Sequence, residues 1–563
     1  MTVKSGQLKK SNQSSDLMSS SVMVSLMTMI SRVVGLVRDI VLAITIGASN
    51  FADAFFVAFK IPQFLRRLFA EGAFAQAFVP VLSEYRECYE KEGNIEAVKS
   101  LINSVCGVLG GSLLMLVSFV VLASPLVTMI FAPGFISQED KFQMTEHMLR
   151  ITFPYLFLIS LTGFAGAILN SYDRFVVPAF TPVLLNLSLI GFALFATPFF
   201  LEPVYALAWA VLFAGCLQFL FQIPFLIQID RLPKPKWDIK HEGVKKILIL
   251  MLPAIFGVSV SQINLLLDTI IASLLPTGSV SWLYYSDRLV ELPLGVFGIA
   301  IATVILPSLS RLQVQKSGSS FLENKDHPQS QIRFLETLDW AFRCIIIIAV
   351  PSMVALILLS EPILITLFQY NAMTPVDVNM ASQSLKAYAL GLLAFMAIKV
   401  LATGFYAQQD MKTPVKVGIV AMVSNMILNI IFVFILHLYW GLGHVGLALA
   451  TSLSAWINAL SLLYLLGLRH SESVSKSFSS ILIILSTHFW RLCIKVSLSV
   501  VLMSAVLFNY LPDVIFWLEM EWMDRSLNLI YMVILGLFIY GLSLFVFGVR
   551  ASDFKSPDYS QRL

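Results

Sequence analysis

Residues 31 to 71 read SRVVGLVRDIVLAITIGASNFADAFFVAFKIPQFLRRLFAE. The stretch lies within sequence apolar enough to cross a bilayer twice, yet it carries Arg32, Arg38, Asp39, Asp53, Lys60, Arg66, Arg67 and Glu71. At about 100° per residue along a helix, Ser31, Arg32, Gly35, Arg38 and Asp39 share an arc of roughly 120°, which leaves the other faces to Val, Leu and Ile. A charge at mid-membrane depth costs at least about 2.5 kcal/mol on insertion scales, so charges placed there face a protein interior or a water-filled cavity. Two readings meet that requirement. One is a cationic cavity for an anionic cargo. The other is a set of internal ion pairs, such as Arg38 with Asp39, that pin helices together; it does not account for the excess of Arg and Lys.

The whole chain has the same character. Of 563 residues, 58% are hydrophobic and only 13% charged, with a mean hydropathy of +0.82; soluble proteins carry about a quarter charged residues. This is a polytopic membrane protein. A net charge of +4 is too small to point to nucleic acid, and Cys88, Cys106, Cys216, Cys344 and Cys493 have neither zinc nor disulfide spacing. With no Walker motif, no Ser/His/Asp arrangement and no HExxH, neither nucleotide hydrolysis by that route nor a metal or other cofactor is expected. The polar start, MTVKSGQLKKSNQSSDLMSSS, has no small-residue cleavage site, so the apolar run after it reads as a retained first helix.

Apolar runs of about 20 residues recur about fourteen times. The first covers 20 to 47, the second 52 to 84, the seventh 247 to 275, the eighth 280 to 309, the tenth 383 to 406 and the last two 487 to 511 and 527 to 549. Charges lower the hydropathy of the second and eighth. Alternate connecting segments hold Lys9, Lys10, Arg86, Lys91, Arg174, Lys234, Lys236, Lys316, Lys412, Arg469 and Lys555, while the opposite set holds essentially Lys141 and Arg525. Lys and Arg accumulate on the cytoplasmic side, so both termini are expected there. The loop at 229–246, QIDRLPKPKWDIKHEGVK from Gln228, reads as an amphipathic interfacial linker, and 311–333 as a flexible tether. The expected organisation is a lobe of six helices at 1–228 with a cytoplasmic tail, the linker at 229–246, a second six-helix lobe at 247–470, and two further helices with a tail at 471–563.

A weak internal repeat supports two lobes. FVPVLSEYRE at 78–87 resembles ILPSLSRLQV at 305–314, aligning Pro80 with Pro307; ILNSYDRFVVP at 168–178 resembles FYAQQDMKTP at 405–414, matching Asp173 with Asp410. The shared offset of roughly 230 also brings Asp39 near Asp268. An even number of helices between equivalents makes the halves parallel, the plan of a rocking transporter.

In the eighth helix Tyr284, Asp287, Arg288 and Glu291 share an arc of about 100°. Arg32, Arg38 and Arg288 are candidate cargo contacts, while Arg66 and Arg67 read equally well as interface anchors. Lys399 lies near an inside loop and reads as snorkelling. Asp268, with Ser261, Gln262 and Asn264, reads as a helix-to-helix hydrogen bonder or a cation ligand. Pro62, Pro80, Pro253, Pro293 and Pro307 mark kinks.

SRVVGLVRD, ADAFFVAFKIPQFLRRLFAEGAFAQAFVP, GSVSWLYYSDRLVELPLGVFGIA and FYAQQDMKTPVK closely resemble the MurJ (MviN) family of lipid II flippases, in the multidrug/oligosaccharidyl-lipid/polysaccharide exporter superfamily. The resemblance covers nearly the whole chain. It implies fourteen helices, alternating access and no enzymatic activity. It implies cargo-binding positions at Arg32, Arg38, Asp39, Asp53, Arg66, Arg67, Glu71 and Arg288, with Ser31, Lys60, Asp287 and Glu291 in support. The partner it implies is lipid II in a bacterial inner membrane, with membrane lipids and cell-wall synthesis enzymes around it, and the last two helices as a groove for the polyprenyl tail. The rivals are a flippase for another polyprenyl-linked saccharide, a drug antiporter, which would favour carboxylates, and a membrane glycosyltransferase, which would need acidic residues on a long outside loop.

Overall fold

The computed structural model describes residues 2–68, 74–90, 93–318, 327–470, 485–550 and 553. Among the described residues every regular element is helical, the arrangement in which each segment satisfies its own backbone polar groups without water. The chain divides into two compact units, Met1–Ser281 with Tyr370–Ala372, and Trp282–Gln369 with Met373–Leu563. The first holds α1 Thr2–Ile46, α2 Asn50–Leu65, α3 Phe74–Tyr85, α4 Ile95–Leu122, α5 Ser124–Phe131, α6 Glu139–Thr152, α7 Tyr155–Ser171, α8 Val176–Gly191, α9 Pro203–Gln228 and α10 Glu242–Ser273. The division falls inside α11 Ser279–Pro293. The second unit continues with α12 Ile299–Gly318, α13 His327–Leu358, α14 Ser360–Phe368, α15 Pro375–Ala389, α16 Leu392–Ala407, α17 Lys412–Trp440 and α18 Gly443–His470, then the helices Thr487–Tyr510, Val514–Glu519 and Trp522–Val546.

Eleven helical stretches among the described residues are long and apolar enough to cross a membrane. The eighth expected span is one of them, despite its charges. Three expected spans are not among these eleven: the first, whose run carries Arg32, Arg38 and Asp39; the second, divided between α2 and α3; and the seventh, the 32-residue α10, where side chains at 254, 256–258, 260 and 261 lie outside the described residues and the described apolar stretch is Gln262–Ser273. α17 shows how such a helix is built. It buries Val417, Ala421, Asn425 and Asn429 at every fourth position and turns Ile427, Ile430 and Phe434 outward. Apolar burial gains little in lipid, so the inward stripe is the small and polar one; Asn425 Nδ2 donates to Ser454 Oγ at 3.3 Å, and Asn429 Nδ2 to Asn425 Oδ1 at 2.9 Å.

The first unit takes in the seventh span, whereas the sequence reading divides the lobes at 229–246. α10 joins it by packing: Val244 and Ile247 enter a core with Phe74, Phe78 and Phe164, whose rings lie 5.1 to 5.9 Å apart. The linker itself is a strap seated on α4. Lys234 N donates to Asn103 Oδ1 at 2.7 Å and Lys236 N to Asn103 O at 3.0 Å. One and two turns further along α4, a Cβ on Gly107 would lie 2.2 Å from the Lys236 carbonyl oxygen, and one on Gly111 2.2 Å from the Trp237 ring. Asn103, Gly107 and Gly111 thus form the seat, while Leu232, Trp237 and Ile239 remain exposed. Residues 319–326 of the expected tether lie outside the described residues.

The backbone carries the repeat further than the letters do. Pro62 precedes a widened π turn at 66–68, and Pro293 one at Leu294–Gly298. The pairing of Asp173 with Asp410 needs correction by one residue. Within these two turns Asp173 and Gln409 have left-handed backbones, at φ 61° and 58°, and Arg174 N to Leu169 O repeats as Asp410 N to Phe405 O. Arg174 therefore corresponds to Asp410, and Pro178 to Pro414 without a gap. The turn's geometry fixes the register, and a shared aspartate does not.

Both cations on the minority side are buried, Lys141 at 5% and Arg525 at 7% exposure. Arg525 donates to the carbonyls of Gln369 and Leu518. Neither interrupts the charge asymmetry of the exposed loops.

Gly107→Val should lift the strap, seen as faster hydrogen exchange at the Lys236 amide. Asp410, in the turn before α17, accepts from Lys412 N, Thr413 N and Thr413 Oγ1 and pairs with Arg469. Burial pushes its pKa up, but the Thr413 hydrogen bonds and Arg469 outweigh this and hold it at about 2. A depressed folded-state value stabilises above the unfolded value of about 3.9 and loses that contribution as pH falls toward 2. The melting-temperature advantage of wild type over Asp410→Asn should shrink across that window.

Candidate functional site

α1 places its polar arc against α8. Gly35 faces that helix, and a Cβ there would lie 3.5 Å from Asn186 Nδ2, an ordinary contact distance. Arg38 is 8% exposed and Asp39 3%. Arg38 donates from Nε and Nη2 to Asp39 Oδ1, at 2.9 and 2.6 Å, and from Nη1 to Asn186 Oδ1 at 2.9 Å. The same asparagine donates from Nδ2 to the Ser31 carbonyl at 3.2 Å. The ion pair admitted by the sequence is therefore present, and a neutral amide extends it. Arg32 is half-buried, with no hydrogen bond or ion pair among the described residues.

α2 begins at Ser49, whose hydroxyl accepts from Ala52 N at 3.2 Å. Asp53, in its first turn, is 1% exposed. Lys141 Nζ and Gly278 N donate to Oδ2 at 3.0 and 2.8 Å; Ser281 N and Oγ donate to Oδ1 at 3.0 and 2.7 Å. Four donors fill the four acceptor sites of a carboxylate. Asp53 thus differs from the open cargo contact expected of it: it staples α2 to α6 and to the turn that starts α11. Phe135 lies under the Lys141 ammonium, 4.2 Å from ring centre to Nζ.

Further along α2, Lys60 donates to Thr269 Oγ1 of α10 at 3.1 Å. Pro62 has no N–H for the Ala58 carbonyl, and Thr152 Oγ1 of α6 supplies the missing donor at 3.1 Å. Arg66 and Arg67 follow in the π turn, both half-buried. Glu71 lies outside the described residues.

In the second unit, Arg288 donates from Nη1 to Glu291 Oε2 at 2.6 Å and stacks 5.0 Å from the Tyr284 ring centre. The ring one turn before and the carboxylate one turn after confirm that these residues share a face. Asp287 on the same helix is half-buried and Lys399 is exposed; in the first unit, Asp268 of α10 is half-buried. The side chain of Ser261 is outside the described set.

Charge alone misses several residues placed at these centres. Asn186, Lys141 and Thr152 complete the α1 and α2 networks, and Asp339 holds Arg343 at 3.0 Å while accepting from Ser486 N at 2.9 Å, docking the helix Thr487–Tyr510 onto α13. An Asn within LLNLSLIG was a signal available beforehand, since a polar amide in an apolar span needs a partner.

The family model of lipid II flippase MurJ matches residues 42–523. A probable lipid II flippase MurJ from Haemophilus influenzae is 46% identical over 531 residues, covering 93% of this chain and 98% of its own. Among solved structures, a lipid II flippase MurJ in an inward closed conformation aligns with a TM-score of 0.72 at 26% identity, over 93% of this chain and 98% of its own. An inward-facing MATE family multidrug resistance transporter of the MOP superfamily aligns at 0.58 and 14% identity, over 80% and 99%, a likeness of fold alone.

Lys141→Ala would strand the Asp53 carboxylate in a buried site, a loss of about 3–5 kcal/mol. It should lower the melting temperature in detergent sharply, and Lys141→Met combined with Asp53→Asn should recover much of that loss.

Proposed function

The chain belongs to the lipid II flippase MurJ family and is a multi-pass lipid II transporter, and from that premise we propose how and where its cargo is bound. The undecaprenyl-diphosphate-linked disaccharide-peptide passes from the cytoplasmic to the periplasmic leaflet of a bacterial inner membrane, with both termini of the protein in the cytoplasm. Two six-helix lobes alternate access to a cationic cavity. Arg32 and Arg38 of α1, Arg66 and Arg67 after α2, and Arg288 of α11 meet the diphosphate; Asp39, Asp287 and Glu291 hold those cations in place between cargoes, and Glu71 is a further cargo-binding position. The observation that carries the reading is Arg288 held between Tyr284 and Glu291, a guanidinium within a span whose fork geometry suits two phosphate oxygens.

Charge also supplies a driving force. An inside-negative potential favours outward movement of an anion by about 2.3 kcal/mol per charge per 100 mV. No nucleotide step is needed.

Arg38→Ala or Arg288→Ala should reduce lipid II exposure at the outer leaflet at least about tenfold, the worth of one charge-assisted hydrogen bond, at unchanged membrane insertion. Lys399→Ala should be milder. Normal exposure in both arginine variants would contradict the proposed site.

A further inference from the structure

We infer that Asn186 of α8 is a positioning residue for cargo: it aims the Arg38 guanidinium and does not itself touch lipid II. The inference rests on the reading of Arg38 as a cargo contact. Asn186 is 6% exposed, and its amide does two jobs that fix its orientation. The oxygen takes Arg38 Nη1 at 2.9 Å while the nitrogen gives to the Ser31 carbonyl at 3.2 Å. A flipped amide would set donor against guanidinium and oxygen against carbonyl, so the two bonds determine each other.

The amide is thereby tied to the α1 backbone at Ser31 and to a side chain seven residues, nearly two turns, further on. Arg38 and Asp39 are sequence neighbours, and that pair alone fixes the guanidinium only relative to its own turn. Asn186 adds a reference on a second helix. It holds Nη1 toward α8 while Nε and Nη2 stay with Asp39. Gly35 is the residue of α1 facing Asn186, and a Cβ there would lie 3.5 Å from the Asn186 amide nitrogen, an ordinary contact distance. Being neutral, the amide orients the cation without cancelling its charge, whereas a second carboxylate would compete with an incoming diphosphate. These features favour a device for aiming a charge over a simple helix-to-helix bond.

The test is lipid II binding to the purified full-length protein in nanodiscs for wild type, Asn186→Leu, Arg38→Ala and the double variant, with melting temperature measured on each. Asn186→Leu should weaken binding about tenfold, and should add little once Arg38 is already Ala, because residues acting through one another are not additive. Asn186→Ala, measured per folded molecule, serves if the leucine variant does not fold. Unchanged affinity in Asn186→Leu or Asn186→Ala, while Arg38→Ala weakens binding, would overturn the inference. So would an equal loss on both backgrounds, the mark of a purely structural asparagine. Unchanged affinity in Arg38→Ala would instead remove the reading of Arg38 on which the inference rests.

Discussion

Taking a charge out of water is the cost around which this chain is built. Burying a lone ion is prohibitive, and a pair recovers the cost only when its geometry is good and its remaining donors and acceptors are met. Asp53 is the fullest case, with an ammonium, two backbone amides and a hydroxyl on its two oxygens. Arg38 is shared between the neighbouring carboxylate and an amide from α8. Arg288 is bracketed by a ring and a carboxylate on its own helix. The three solutions differ in the kind of partner: donors around the Asp53 carboxylate, a carboxylate and a neutral amide at Arg38, a carboxylate and a ring at Arg288.

That difference in partners underlies the proposed division between a structural joint and cargo contacts. A carboxylate with every acceptor site filled is a joint. A guanidinium carries five donors, and its planar fork can meet an anion while part of it stays tied to protein. On the proposed reading, the arginines exchange partners, with protein carboxylates serving when cargo is absent. The backbone follows similar logic. Pro62 releases a carbonyl that Thr152 captures, and a π turn carrying Arg66 and Arg67 follows α2; the matching break after Pro293 follows the helix that bears Arg288.

Much of this was legible in the sequence because local periodicity records it. The arc of α1, the face of Tyr284, Arg288 and Glu291, and the apolar spans all depend on residues a few positions apart. What the sequence withheld is long-range. Nothing near Asp53 announces that Gly278 and Ser281 will reach it across more than two hundred residues, and nothing near Arg38 announces Asn186. The linker's prolines and lysines indicated an interfacial segment, but its seat lies on Asn103, Gly107 and Gly111 of another helix. The repeat misled by one residue because Asp173 and Asp410 look alike, while left-handed φ angles place Asp173 with Gln409.

The central claim is that α1 and α11 guanidiniums hold the diphosphate during passage. An experimental structure of the protein with lipid II bound tests it most directly. The account predicts diphosphate oxygens about 2.7–2.9 Å from guanidinium nitrogens of Arg38 and Arg288, the distance of charge-assisted hydrogen bonds. A bound diphosphate lodged elsewhere, with Arg38 still on Asp39 and Asn186 and Arg288 still on Glu291, would contradict it.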